Sequence, residues 1–187
     1  VGKTRLGIEI IEEYLEKDYN IIVLAPQISI TSQVKVKLDE KEIPSFVYNS
    51  TTWRDLDYWE EYNQRDWTDP ILSTIDSAHY RLDQADLDPH KTIVIIDEPH
   101  TFLQKARKNF DDTVRAINEF GCPVLAFTAT ESAWVINYLF QFDQVIRIHA
   151  TELAEKRINP FLVNGSIPYI IAEAISDNDY KKLIIWT

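Results

Sequence analysis

The chain has 187 residues, of which 45% are hydrophobic and 26% are charged, values typical of one globular domain with a short extension. Its net charge of −11 excludes the broad basic surface of most nucleic-acid-binding proteins, so any nucleic-acid site must be local. The lone cysteine, Cys122, excludes an internal disulfide and favours a reducing compartment, which predicts a cytoplasmic protein. Because no apolar run is long enough to cross a bilayer, we expect no membrane partner.

Helical and strand-like patterns alternate along the chain. Apolar residues at helical spacing predict an amphipathic helix over 4–17, followed by a buried strand at 20–26 and a second helix at about 29–40. Further strands are predicted at 43–49, 70–75, 92–97, 123–128 and 144–149. Since strands that alternate with helices need crossover connections, the sequence predicts an α/β fold with a mostly parallel sheet and helices on both faces.

The last part of the chain differs in composition. Residues 151–168 contain two prolines and a Gly-Ser pair and lack sustained periodicity, which is typical of a linker. A helix is predicted at 169–177 and a strand at 181–187, so we expect 169–187 to begin a second domain. Because the sequence contains no methionine, we also expect it to be a segment of a longer protein, cut at both ends.

The chain opens on Gly2, Lys3 and Thr4, directly before the first predicted helix. A strand-to-helix loop that ends in Gly-Lys-Thr turns backbone N–H groups toward phosphate. Its lysine then reaches the β and γ phosphates, and its threonine binds Mg²⁺. Only the end of such a loop is present, so a helix start with an unrelated lysine stays open as an alternative.

Two carboxylates, Asp97 and Glu98, stand at the end of the strand predicted at 92–97. In open α/β folds the carboxyl ends of the strands are where ligands bind. There Asp97 could hold Mg²⁺, and Glu98 could orient and deprotonate the attacking water. Acidic residues also cap helices after strands, but together with Lys3 this pair predicts a Mg–nucleotide site.

Five segments, in this order, resemble the first motor domain of superfamily 2 helicases and related nucleic-acid-dependent ATPases. They are GKT at 2–4, LAP at 24–26 with Gln33, STIDSAH at 73–79, IIDEPH at 95–100 and FTAT at 127–130. The DEPH segment is similar to the DExH-box form. The resemblance implies a P-loop NTPase with a RecA-like ATP-binding domain over 1–150 that lacks its first strand, which would lie at the centre of the sheet, and the start of the P-loop. Residues 151–168 would be the linker, and 169–187 the start of a second RecA-like lobe.

The resemblance also implies roles for individual residues. The residues that would bind ATP are Gly2, Lys3, Thr4 and Arg5. The residues that would hold Mg²⁺ are Thr4 and Asp97. The catalytic set would be Lys3, Asp97 and Glu98. The residues that would couple hydrolysis to strand movement are His100, Thr128, Ala129 and Thr130.

Four further residues would contact the sugar-phosphate backbone of a single-stranded DNA or RNA track: Pro26, Gln33, Thr74 and Ser77. Backbone amides and hydroxyls can bind phosphates without a basic surface, which suits an acidic protein. The same residue types commonly cap helices, so simple capping stays open for each of them.

The sequence therefore predicts a segment of an ATP-dependent nucleic-acid helicase or translocase. The alternatives are a packaging-type P-loop motor ATPase and a non-catalytic nucleotide-binding replication or scaffold module. Because the upstream half of the P-loop and the arginine finger of a second lobe are absent, we expect the segment alone to hydrolyse ATP barely or not at all.

Overall fold

The structure, a computed structural model, describes residues 3–50, 52–54, 68–78, 87–103, 110–129, 143–147 and 182–186, with residues 57, 60, 63, 64, 66 and 82. Its helices include α1 (Lys3–Leu15), α2 (Ile28–Asp39) and α3 (Phe110–Phe120). The described strands are β1 (Asn20–Ala25), β2 (Phe46–Tyr48), β3 (Ile71–Thr74), β4 (Thr92–Asp97), β5 (Val124–Thr128), β6 (Gln144–Arg147) and β7 (Lys182–Trp186). The predicted strands and the first two predicted helices are confirmed. The helix predicted at 169–177 lies outside the described residues.

All described strands pair in one parallel sheet, in the order β2-β3-β1-β4-β5-β7-β6. Successive side chains of a strand point to opposite faces, and the two faces of this sheet carry separate cores. In β1, Ile21 and Val23 pack in the core that contains the apolar face of α1, whereas Ile22 and Leu24 pack in the core that contains Ile117 of α3. The predicted α/β fold with helices on both faces is confirmed.

The carboxyl ends of the central strands lie along one edge of the sheet. In the register of the sheet, Ala25 of β1 lies opposite Thr74 of β3, and Asp97 of β4 lies opposite Phe127 of β5. Because all the strands are parallel, the residues that follow β1, β3, β4 and β5 meet at this edge. The fold thus gathers segments that lie up to a hundred positions apart in the chain.

Strand β7 lies within 169–187, the range that the sequence assigns to the start of a second domain. It is an interior strand, paired with β5 from Val124↔Lys182 to Thr128↔Trp186 and with β6 on its other side. These five residues lie in the same sheet as β1 to β5, and their assignment to a second domain stays a prediction. This pairing provides hydrogen-bond partners for the backbone N–H and C=O groups on the side of β5 that faces away from β4. The boundaries proposed within 148–181 lie outside the described residues and stay predictions.

Among the described residues, no helix is both long enough and apolar enough to pass through a bilayer.

The position of β7 predicts its hydrogen exchange. Since both sides of β7 are hydrogen-bonded, we expect the amides of 183–185 to exchange about as slowly as those of 124–127 in β5. Exchange measured by mass spectrometry on peptides from both strands checks this. Fast exchange at 183–185 alongside slow exchange in β5 would show that these residues belong to a separate unit, as the sequence predicted.

Candidate functional site

Glu98 lies directly after β4 with a φ of 51°, in the left-handed region that costs a non-glycine residue about 1–2 kcal/mol. Backbone bonds on both sides hold it there. Its N–H donates to the carbonyl of Phe127 in β5 at 2.8 Å, and its own carbonyl accepts from the N–H and the hydroxyl of Thr101 at 3.0 and 2.8 Å. The position of the Glu98 side chain is therefore tied to the end of β5.

The carboxylate of Glu98 joins three elements. Its Oε1 accepts a hydrogen bond from the ammonium group of Lys3, the first residue of α1. Its Oε2 accepts from the hydroxyl of Thr128 at the end of β5, at 3.0 Å. The Nδ1 atom of His100 lies 3.2 Å from both Thr128 Oγ1 and Glu98 Oε2. The structure thus brings together four residues that the sequence assigned to the nucleotide site or to coupling.

The hydrogen bonds of this network fix the tautomer of His100. Thr128 has a single hydroxyl proton, which it donates to Glu98. Thr128 can then only accept from the ring of His100, so Nδ1 carries a proton and acts as the donor. A change at Glu98 can therefore reach His100 directly, across 3.2 Å, and through the hydroxyl of Thr128.

The two carboxylates differ in electrostatic environment. Burial raises the pKa of Asp97 above its ordinary value, and the nearby charge of Lys3 only partly opposes this. For Glu98, burial also favours the neutral form, but the ammonium of Lys3 and the hydroxyl of Thr128 outweigh it, so the pKa is lowered. Glu98 is therefore an ionised carboxylate at neutral pH, held so chiefly by Lys3.

Lys3, Thr4, Gln33 and Asp97 line one cavity, whose deeper walls are apolar side chains of α1, β1 and β4. A hydroxyl and a carboxylate beside an ammonium group fit Mg²⁺, which prefers oxygen ligands and takes few of them from the protein. Among the described residues, no group of three His, Cys, Asp or Glu side chains could form a metal cluster. Thr4 and Asp97 would accordingly hold the ion together with phosphate oxygens.

Arg5, also predicted to bind the nucleotide, is not among the residues that line this cavity. Its side chain is exposed and forms an ion pair with Glu9, one turn further along α1, at 2.8 Å. Gly2 and Thr130 lie outside the described residues, and Ala129 is exposed just after β5.

The predicted nucleic-acid residues lie in three places: at the end of β3, directly after β1, and in α2. Thr74 and Ser77 lie on one turn after β3, where the hydroxyl of Thr74 donates to that of Ser77 at 3.2 Å. Pro26 is buried directly after β1. Gln33 lies in α2 and lines the same cavity as Lys3 and Asp97, two residues that the sequence predicts to bind nucleotide and Mg²⁺.

Sequence reasoning missed Thr101 and the carbonyl of Phe127, which together fix the backbone of Glu98. A threonine three residues after Glu98 was the available signal, since a threonine hydroxyl at this spacing can bond a preceding carbonyl. No local sequence pattern indicates the role of Phe127, because its hydrogen-bond partner, Glu98, follows a different strand.

The family model described as Type III restriction enzyme, res subunit (ResIII), matches residues 1–132 of the chain. The matched range runs from α1 through β5 and includes every residue of the network and the cavity. No curated protein matches the chain.

The left-handed conformation of Glu98 predicts the relative stability of two variants. Both Glu98→Ala and Glu98→Gly remove the carboxylate, but only glycine adopts a positive φ without steric cost. We expect the glycine variant to be more stable than the alanine variant by about 1 kcal/mol in urea denaturation. An alanine variant that is equally or more stable would contradict the left-handed conformation.

The Lys3–Glu98 ion pair predicts a pH dependence of stability. A carboxyl whose pKa is lowered by folding contributes stability above its unfolded pKa of about 4.3, and this is lost as the pH falls through the lower folded value. In Lys3→Met the burial of Glu98 remains while the cation is gone, so the pKa of Glu98 rises. The loss of folding stability with falling pH then becomes smaller or changes sign.

Denaturation midpoints measured from neutral pH to about pH 3 test this expectation. Arg5→Met is the matched control, because it removes a cation of the same helix whose partner, Glu9, lies on the exposed face. Parallel pH profiles of Lys3→Met and wild type would contradict the ion pair.

Proposed function

The chain belongs to the ResIII family, a superfamily 2 helicase-like domain with a RecA-like P-loop fold. We propose that it is the ATP-binding lobe of a DExH-type helicase or translocase. The hydrogen-bonded connection Lys3–Glu98–Thr128–His100 is the observation that carries this proposal. It unites the phosphate-binding residue, the candidate general base and the coupling residues in one network.

In this proposal, the chain's own residues bind the nucleotide at the mouth of the cavity. Lys3 would contact the β and γ phosphates, and Thr4 and Asp97 would hold Mg²⁺, which when bound neutralises charge on the phosphates. Partial burial strengthens these electrostatic contacts, because the surrounding walls are apolar.

Glu98 would act as the general base toward the attacking water. In the structure both of its oxygens accept hydrogen bonds, and Lys3 holds its pKa low. Phosphate would compete for the ammonium group of Lys3, which frees Oε1 and lets the pKa of Glu98 rise. A base with a pKa closer to neutrality takes a proton more effectively, so nucleotide binding would itself activate Glu98.

The nucleic-acid side would be the turn that carries Thr74 and Ser77, together with the loop at Pro26. Since the chain has a net charge of −11, contacts to a single strand would come from hydroxyls and backbone amides to the sugar-phosphate backbone. Thr128 and His100 would transmit the state of Glu98 along the same sheet edge, and the adjoining Ala129 and Thr130 would extend that coupling.

Binding of ATP with Mg²⁺, measured by isothermal titration calorimetry, tests the proposal. We expect wild type to bind and Glu98→Gln to bind several-fold more tightly, because the phosphates no longer compete with a carboxylate for Lys3; tenfold would correspond to about 1.4 kcal/mol. Glu9→Gln, which removes a carboxylate from the exposed face of α1, should leave the affinity unchanged.

Absence of ATP binding by wild type would contradict the proposed function. Weaker binding by Glu98→Gln would show that the Lys3–Glu98 pair does not lie on the path of the nucleotide. ATP turnover by this chain alone should be barely detectable with or without single-stranded DNA or RNA, and robust turnover would contradict that expectation.

A further inference from the structure

A buried threonine of α3 is bonded to the turn that carries Thr74 and Ser77. The side chain of Thr113 is fully buried, and its hydroxyl donates to the carbonyl of Ile75 at 2.9 Å. The same carbonyl accepts the backbone N–H of Ala78. Two donors from different elements therefore fix one carbonyl at the centre of this turn.

Packing strengthens the connection between α3 and the turn. Ala116 and Ile117, from the buried face of α3, belong to the same core as Ile75 and Ala78. In the chain, α3 lies between β4, which leads to Glu98, and β5, which ends in Thr128. The element that supports the turn is therefore connected at both ends to strands of the nucleotide site.

We propose that Thr113 is a positioning residue for single-stranded nucleic acid, acting through the backbone of the Thr74–Ser77 turn. The proposal rests on the proposed function, which assigns this turn to the sugar-phosphate backbone. An acidic protein gains little from long-range attraction to phosphate. Its affinity for a single strand then depends on a few hydroxyl and amide contacts, whose geometry must be fixed. The Thr113–Ile75 hydrogen bond fixes the backbone of the turn that makes them.

A second threonine provides a control for stability. Thr92 is also fully buried, and its hydroxyl donates to the carbonyl of Asp88 at 2.8 Å. It begins β4, at the opposite edge of the sheet from Glu98. Thr92→Val and Thr113→Val each remove one hydrogen bond from a buried threonine hydroxyl to a backbone carbonyl, but only the second lies beside the turn.

The experiment measures binding of fluorescein-labelled oligothymidine and oligouridine of about 20 nucleotides, longer than typical single-strand sites, by fluorescence anisotropy. We expect Thr113→Val to raise the Kd roughly two- to tenfold, the effect of one hydrogen bond. Thr113→Ser, which keeps the hydroxyl, and Thr92→Val should bind like wild type. Both valine variants should lose stability in urea denaturation, Thr113→Val the more because its hydrogen bond is the more buried of the two.

A second readout follows the turn itself. Without nucleic acid, the amide of Ala78 should exchange faster in Thr113→Val than in wild type, and should be unchanged in Thr92→Val.

The outcomes separate the two proposals. If wild type binds neither oligonucleotide, the nucleic-acid part of the proposed function fails and this inference fails with it. If wild type binds and Thr113→Val binds equally well, only the role of Thr113 is overturned. Equal weakening by Thr92→Val would show that the effect is one of general stability, which also overturns it.

Discussion

The hydrogen-bonded ion pair between Lys3 and Glu98 holds the start of α1 against the ends of β4 and β5, and the arrangement of the site depends on it. Both side chains are about a quarter exposed, so the pair contributes modestly to stability. Its importance is geometric. Lys3 lines the same cavity as Thr4 and Asp97, and its charge keeps the carboxylate of Glu98 ionised.

The backbone of the parallel sheet supplies the rigidity that this ion pair lacks. The amide of Glu98 is bonded to the carbonyl of Phe127 in the neighbouring strand, so the backbone of Glu98 is fixed relative to two interior strands. On the other side of β5, β7 pairs with the same residues that carry Thr128. A strand from near the end of the sequence therefore supports Thr128, the residue that donates to the carboxylate of Glu98.

Much of the fold could be predicted because its signals are local. Apolar runs of five or six residues predict buried parallel strands, and the helical spacing in residues 4–17 predicts a face that packs on them. The motifs indicated Lys3, Asp97, Glu98, His100 and Thr128, and the structure brings these residues to one edge. The sequence could not place Gln33 on the cavity of Lys3, since this depends on how α1 and α2 pack. The Arg5–Glu9 ion pair, by contrast, joins positions i and i+4 of one helix and is a local signal.

By itself, the sequence determined which segments are strands and that the molecule is acidic, and it predicted which residues would bind phosphate and Mg²⁺. Only the tertiary structure decided that β7 lies between β5 and β6, that Glu98 is held at a positive φ, and that Thr113 bonds the turn after β3. Periodicity reports which face of an element is buried, but not which element covers it. Strand order and buried side-chain bonds depend on contacts between distant residues, which form only once the whole sheet is assembled.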